Sequence, residues 1–141
     1  MTSLAVGTPN AYEGGGDMAR VLIVDDEADV VRLLQFRFEK EGFDTITAAD
    51  GQSGLALVEA EMPDLVILDI MMPLMDGMEV LRQIRSRRKT SKVPVIMLTA
   101  KTASISVDEA RQLWVSDYIM KPFDPEVLVK KAKKALKMPT E

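Results

Sequence analysis

Three short, wholly apolar runs stand out in the pattern of hydrophobic and polar positions, at residues 21–24, 65–68 and 95–98. A run that is apolar on both faces is typical of a central parallel strand covered by helices on either side. Residues 45–48 alternate between polar and apolar positions and residues 118–120 form a brief run, so both are predicted to be strands nearer the edges. The pattern therefore predicts five strands.

Longer amphipathic stretches separate these runs, and residues typical of helix ends flank them. Asp50, Asp76 and Asp124 stand directly before predicted helices, in the position of N-caps. Gly42 is suited to the left-handed conformation that ends the first helix. The helices with these signals are predicted at residues 27–41, 51–61, 76–87 and from 124 onward.

Alternation of strand and helix predicts the fold class. Parallel strands joined by right-handed helical crossovers give an α/β, doubly wound, five-stranded parallel sheet flanked by five helices. In such sheets the functional site lies beyond the carboxyl ends of the strands, where the strand order switches.

The chain of 141 residues matches one ordinary domain with a single core. Residues 1–17, which include three consecutive glycines, show no periodicity and are predicted to be a flexible leader. The domain is predicted at residues 18–138, with a short tail at 139–141. No segment has the composition of a secretory signal or a membrane span, and a cytoplasmic protein is expected.

Composition narrows the available chemistry. The chain has no cysteine and no histidine, so disulfides, thiolate metal sites and imidazole bases are excluded. A formal charge of −4 gives no general attraction to nucleic acid or anionic lipid. Catalysis would have to depend on carboxylates, hydroxyls, lysine and a metal.

Five polar side chains follow the predicted strands at the carboxyl edge of the sheet. They are Asp25 and Asp26 after the first strand, Asp69 after the third, Thr99 at the end of the fourth and Lys121 after the fifth. Three carboxylates give a charge of −3, which the lysine reduces to −2 and one divalent cation would neutralise. Oxygen ligands without histidine favour Mg²⁺, or Mn²⁺, over zinc.

Phosphoryl transfer suits such a site, because its transition state needs positioning and charge neutralisation more than proton shuttling. Asp69, on a central strand, is the natural nucleophile, whereas the adjacent pair Asp25 and Asp26 suits ion binding. Asp25 or Asp69, taken singly, could instead be no more than a helix cap.

Four strings make the chain resemble the receiver domain of bacterial response regulators. They are VLIVDD at 21–26, LDIMMPLMDG at 68–77, LTAK at 98–101 and DYIMKPF at 117–123. The resemblance covers residues 20–137. It implies a flavodoxin-like fold with strand order 2-1-3-4-5, and a phosphoacceptor domain rather than an enzyme, although one able to promote its own phosphotransfer and dephosphorylation.

The resemblance also implies roles for individual residues. Asp69 would accept a phosphoryl group from a phosphohistidine on a sensor histidine kinase or a phosphotransfer protein. Mg²⁺ would be held by Asp25, Asp26, Asp69 and the backbone carbonyl of Met71. Thr99 and Tyr118 would move as switch residues, and Lys121, before a cis peptide bond to Pro122, would pair with the phosphoryl oxygens.

The same resemblance implies an output surface formed by the fourth helix, the fifth strand and the fifth helix. That surface would bind a downstream protein or a second copy of the chain. No motif for direct binding to nucleic acid is visible.

The chain departs from the family pattern near this surface. Trp114 and Val115 replace a common Gly-Ala pair, so the fourth helix lacks its usual glycine cap and is predicted to be short, roughly 107–113, or mobile, with Trp114 at the surface. Leu74 replaces a common loop glycine. Met71 and Lys101 occupy positions that the resemblance links to the lifetime of the phosphoryl group.

Other interpretations stay open. The lysines of the last helix form either a solvated face or a docking surface for an acidic partner, and the basic residues at 85–92 complement a helix end. A phosphorylation-independent interaction module is a rival function. A hydrolase that works through an aspartyl phosphate is disfavoured, because residues 69–71 lack the second carboxylate it would need.

Overall fold

A computed structural model describes residues 18–100 and 107–138 of the chain. Within them, five parallel strands form one sheet in the order β2-β1-β3-β4-β5, which confirms the predicted α/β, flavodoxin-like fold. The strands are β1 (Arg20–Val24), β2 (Asp44–Ala48), β3 (Leu65–Asp69), β4 (Val95–Ala100) and β5 (Asp117–Lys121). The predicted leader at 1–17 and the tail at 139–141 lie outside the described residues.

The register of the strands aligns their carboxyl ends. Val24 of β1 is paired with Leu68 of β3, one residue before Asp69. On the other side of β3, Asp69 itself is paired with Leu98, next to Thr99. Ala100 of β4 is paired with Lys121 of β5. The polar residues that end β1, β3, β4 and β5 therefore meet at one edge of the sheet.

Five helices connect the strands, and their ends follow the predicted caps. The side chains of Asp50, Asp76 and Asp124 accept hydrogen bonds from backbone N–H groups in the first turns of α2, α3 and α5. Gly42 ends α1 with a left-handed φ of 96°. The helices are α1 (Ala28–Lys40), α2 (Gly51–Glu61), α3 (Gly77–Ser86), α4 (Val107–Gln112) and α5 (Pro125–Ala135).

Apolar side chains fill both faces of the sheet, which explains why the central strands are apolar throughout. Helices α2 and α3 cover one face, where Leu22 and Val24 pack with Leu81. Helices α1 and α5 cover the other, where Ile23 packs with Phe38 and Leu128. Burial of both faces fixes the strands rigidly and so fixes the positions of the residues at their carboxyl ends. No helix within the described ranges is both long and apolar enough to cross a membrane.

Within the described residues, helix α4 runs from Val107 to Gln112 and ends inside the predicted range of 107–113. Trp114 follows it at the surface, as predicted, with 75% of its area exposed. Trp114 takes a left-handed φ of 55°, the conformation that the missing glycine would adopt without strain. Leu74 does the same in the β3–α3 loop, with a φ of 69°. The part of the prediction that concerns residues 102–106 lies outside the described residues.

Arg85 of α3 supports the turn after α4. Its guanidinium donates hydrogen bonds to the backbone carbonyls of Leu113 at 2.6 Å and Trp114 at 3.2 Å. It also donates to the carbonyls of Ser91 and Val93, before β4. Complementing the end of its own helix is thus not the main role of Arg85, because its donors connect two loops and satisfy four backbone acceptors.

Candidate functional site

Three carboxyl groups meet at the carboxyl edge of the sheet. Asp25 and Asp69 are almost fully buried, whereas Asp26 is exposed. One carboxylate oxygen from each of the three lies within 4.8 Å of the other two. Such a cluster is costly unless a cation or a proton offsets the mutual repulsion of the carboxylates.

Lys121 reaches this cluster from the end of β5. Its Nζ lies 2.9 Å from Asp25 Oδ2 and 3.5 Å from Asp69 Oδ2. It also donates a hydrogen bond of 2.7 Å to Oε1 of Glu27. One ammonium is therefore shared among three carboxylates, and the bond from Lys121 to the following Pro122 is cis, as the resemblance implies.

The contacts of each aspartate test whether the cluster suits a metal ion. Asp25 Oδ1 accepts a hydrogen bond from the backbone N–H of Glu27, and Asp69 Oδ1 accepts one from that of Met71. Asp25 Oδ2 is buried and, despite its short distance to the ammonium, accepts no hydrogen bond from the described residues. A buried carboxylate oxygen with spare acceptor capacity, beside two more carboxylates, fits a hard divalent cation.

The close approach of these charges shifts the pKa values of Asp69 and Lys121. Burial first, and then the Asp25 carboxylate, raise the pKa of Asp69 to about 6, against the opposing influence of Lys121. Burial works against the charge on Lys121, but its contacts with Glu27 and the aspartates outweigh this and raise the pKa of its ammonium. Added positive charge near Asp69 would therefore favour its ionised form.

Thr99 and Tyr118 lie at different depths. Thr99 is buried at the end of β4, where its Oγ1 donates a hydrogen bond to the carbonyl of Ala100 at 3.2 Å. Tyr118 is exposed on β5, on the same face of that strand as Met120. The structure therefore brings Thr99 to the site edge and leaves Tyr118 outside it.

Some predicted positions stand outside this arrangement. The side chain of Met71 is exposed, while its backbone N–H binds Asp69. Lys101 lies outside the described residues.

Sequence reasoning did not single out Glu27, although it directly follows the pair Asp25 and Asp26 at the same strand end. Its place directly after two site aspartates is the sequence feature that could have identified Glu27 as a site residue.

The basic side chains of α5 divide into two groups. Lys131 pairs with Asp117 and Lys133 with Glu41. Lys130, Lys134 and Lys137 are exposed and form no ion pair with another residue of the described ranges. Two lysines of α5 thus stabilise the fold through ion pairs, and the other three present positive charge to solvent.

Comparison with known proteins shows which family the chain belongs to. The sequence profile of the response regulator receiver domain matches residues 21–133. The chain is 41% identical over 118 residues to the alkaline phosphatase synthesis transcriptional regulatory protein PhoP of Bacillus subtilis, an alignment that covers 84% of this chain. The chain spans about half of that relative, 48% of its length.

Solved structures show the same fold. The chemotaxis protein CheY4 of Vibrio cholerae is 31% identical with a TM-score of 0.77, over 84% of this chain and 98% of that one. A CheY-like response regulator receiver domain protein of Methanospirillum hungatei is 31% identical with a TM-score of 0.76, over 86% and 95%. By its sequence, its fold and the acidic cluster at the edge of its sheet, the chain belongs to the response regulator receiver domains, the regulatory domains of two-component signalling.

Proposed function

We propose that this receiver domain is a phosphorylation-dependent switch in which Asp69 accepts a phosphoryl group from a histidine kinase or a histidine phosphotransfer protein. The observation that carries the proposal is the position of Asp69, buried at the end of a central strand, 3.5 Å from an ammonium and within 4.8 Å of two further carboxylates. Burial and the neighbouring Asp25 raise the pKa of this carboxyl group. The adjacent ammonium of Lys121 would offset the further negative charge that a phosphoryl group brings.

The transfer would join the Asp69 carboxylate, as nucleophile, to the phosphoryl group of a phosphohistidine donor. An oxygen of Asp69 bonds to phosphorus as the P–N bond of the donor breaks. The imidazole nitrogen keeps the bonding electron pair, and the ring is released neutral with one proton taken from the solvent. The product would be an acyl phosphate on Asp69. Lys121, whose Nζ lies 3.5 Å from Asp69 Oδ2, would pair with its oxygens.

Mg²⁺, or Mn²⁺, is the cofactor that the residues fit. Asp25, Asp26 and Asp69, with the backbone carbonyl of Met71, would hold it. When bound, the ion supplies the positive charge that neutralises the phosphoryl oxygens in the transition state.

Replacing Asp25 by asparagine is expected to weaken Mg²⁺ binding by roughly tenfold or more, because the spare carboxylate oxygen is lost. Calorimetric titration measures this affinity. Asp29→Asn is the matched control, because it removes one exposed charge from the first turn of α1 without touching the cluster. Equal uptake by the wild-type protein and Asp25→Asn would contradict the assignment of the metal ligands.

Phosphorylation would be transmitted to the surface formed by α4, β5 and α5. Thr99 would turn toward the phosphoryl group, and Tyr118 would follow it inward. The exposed apolar side chains on this surface suit a protein partner or a second copy of the chain, and they are Trp114, Tyr118, Met120 and Val127.

Incubation with a small acyl phosphate donor and Mg²⁺ tests the proposed function. The intact protein is expected to gain the mass of one phosphoryl group, and a chelator is expected to prevent the gain. A protein that gained no mass would refute the proposal and favour an interaction module that works without phosphorylation. Steady release of phosphate from phosphate esters would favour a hydrolase instead.

A further inference from the structure

Glu27 makes the shortest contact of the site lysine. Its Oε1 lies 2.7 Å from Lys121 Nζ, compared with 2.9 Å for Asp25 and 3.5 Å for Asp69. Glu27 is the N-cap residue of α1, but its side chain caps no backbone N–H of that helix. The side chain of Glu27 therefore binds Lys121 and does not cap the helix.

The ammonium of Lys121 lies at different distances from its three carboxylate neighbours. An ammonium has three N–H donors, and a hydrogen bond to oxygen requires a separation of about 3.2 Å or less. Glu27 accepts such a hydrogen bond from Lys121. Asp25 Oδ2, at 2.9 Å, is an ion-pair partner that accepts no hydrogen bond from the described residues, and Asp69, at 3.5 Å, lies beyond the range. Before phosphorylation, the lysine is thus bound by its neighbours more closely than by the proposed phosphoacceptor.

The solvent exposure of Glu27 and Asp25 determines which of the two contacts with Lys121 can be broken at lower cost. The side chain of Glu27 is 59% exposed, so water can replace the ammonium as its partner. The side chain of Asp25 is fully buried, and loss of its cation would leave an uncompensated buried charge. When a phosphoryl group attracts Lys121, Glu27 is the partner that the ammonium can leave at small cost.

We propose that Glu27 is a positioning residue that holds Lys121 in the unphosphorylated domain and competes with the phosphoryl group for it. Phosphorylation of Asp69 then transfers the ammonium to the phosphoryl oxygens and releases Glu27 into solvent at the β1–α1 loop. The inference rests on the proposed function of Asp69 and Lys121, and adds to it a resting-state competitor that sets the affinity for the phosphoryl group.

Beryllofluoride, a mimic of a phosphoryl group on a carboxylate, measures this competition without turnover. Glu27→Gln keeps the size of the side chain and removes its charge. At saturating Mg²⁺ this variant is expected to bind beryllofluoride roughly two- to fivefold more tightly than the wild-type protein, the range expected for the loss of an exposed ion pair. Binding is followed by ¹⁹F NMR of the full chain.

Asp29→Asn is the matched control for the general effect of removing one negative charge near the site. Asp29 is exposed in the first turn of α1 and pairs with Arg32 rather than with Lys121. The affinity of the Asp29→Asn variant for beryllofluoride is expected to equal that of the wild-type protein. Equal affinities in Glu27→Gln and Asp29→Asn would overturn the role of Glu27.

A second readout follows Glu27 directly. On addition of Mg²⁺ and beryllofluoride, the ¹³C resonance of the Glu27 carboxyl group is expected to move to the position that it has in unliganded Lys121→Ala, where no ammonium binds it. A resonance that stayed at its unliganded wild-type position would overturn the release step.

The same data separate this inference from the proposed function. If the wild-type protein bound no beryllofluoride, both would fall. If it bound beryllofluoride and Lys121→Ala bound it weakly, but Glu27→Gln behaved like Asp29→Asn, only the role of Glu27 would fall.

Discussion

Replacing Asp69 by asparagine is expected to abolish phosphorylation and, without Mg²⁺ at neutral pH, to make the domain more stable. An amide cannot form the acyl phosphate. The stability gain has a different cause, because the pKa of the Asp69 carboxyl group is raised from its ordinary 3.8 to about 6 by burial and by Asp25. That difference of about two corresponds to at most about 3 kcal/mol, so we expect a gain of roughly 1 to 3 kcal/mol in the free energy of unfolding.

The sign follows from proton binding. Between pH 3.8 and about 6 the folded state binds more protons at Asp69 than the unfolded state, so the stability of the wild-type protein falls as the pH rises through this range. Asparagine at position 69 does not ionise, so the variant does not lose stability in this way. The advantage of Asp69→Asn is therefore expected to be complete above pH 6 and to disappear below pH 4.

Urea denaturation at pH 7.5 and pH 4, with a chelator present, measures the difference. Asp26→Asn serves as control, since Asp26 is exposed and its replacement is expected to change stability little. Added Mg²⁺ is expected to reduce the advantage of Asp69→Asn, because the wild-type protein gains stability from binding the ion. A variant less stable than the wild-type protein at pH 7.5 would contradict the charge repulsion on which the account depends.

Gly77→Ala is expected to destabilise the domain by about 3 kcal/mol or more. A Cβ at this first residue of α3 would lie 2.3 Å from the carbonyl oxygen of Asp69 and 2.7 Å from Cα of Ile70. Both are backbone atoms, so the clash cannot be relieved by a side-chain rotation. Relief would displace the strand end that carries Asp69, and Mg²⁺ affinity is expected to fall together with stability.

Gly42→Ala provides the comparison. Gly42 has a left-handed φ of 96°, but a Cβ there would meet nothing within 4 Å. Only backbone strain of about 1 to 2 kcal/mol is expected. Thermal and urea denaturation of both variants would show whether steric contact or backbone strain dominates. A smaller loss in Gly77→Ala than in Gly42→Ala would contradict the close packing of α3 against the end of β3.

The fold could be predicted because its signals are local. Strands buried on both faces must be apolar throughout, and the side chains of Asp50, Asp76 and Asp124 satisfy helix ends from within a few residues. The turn after α4 could be predicted only in part. A missing glycine indicated a short helix, but not that Trp114 would adopt the left-handed conformation or that Arg85, 29 residues earlier, would bind its carbonyl.

The candidate site, like the turn after α4, could be predicted only in part. Residues at the carboxyl ends of parallel strands must share an edge, so the meeting of Asp25, Asp69 and Lys121 follows from topology. The lysine contact of Glu27 does not, because 94 residues separate the two side chains and their approach depends on the rotamers of both. Contacts between long, flexible side chains across the chain carry no periodicity in sequence.

Locating the phosphoryl group tests the central claim most directly. The wild-type protein is treated with a small acyl phosphate and Mg²⁺, reduced with borohydride to trap the acyl phosphate as homoserine, and digested for tandem mass spectrometry. Homoserine is expected at position 69 and at no other aspartate. Homoserine at position 25 or 26 instead, or a phosphoryl group carried by a serine or threonine, would contradict it.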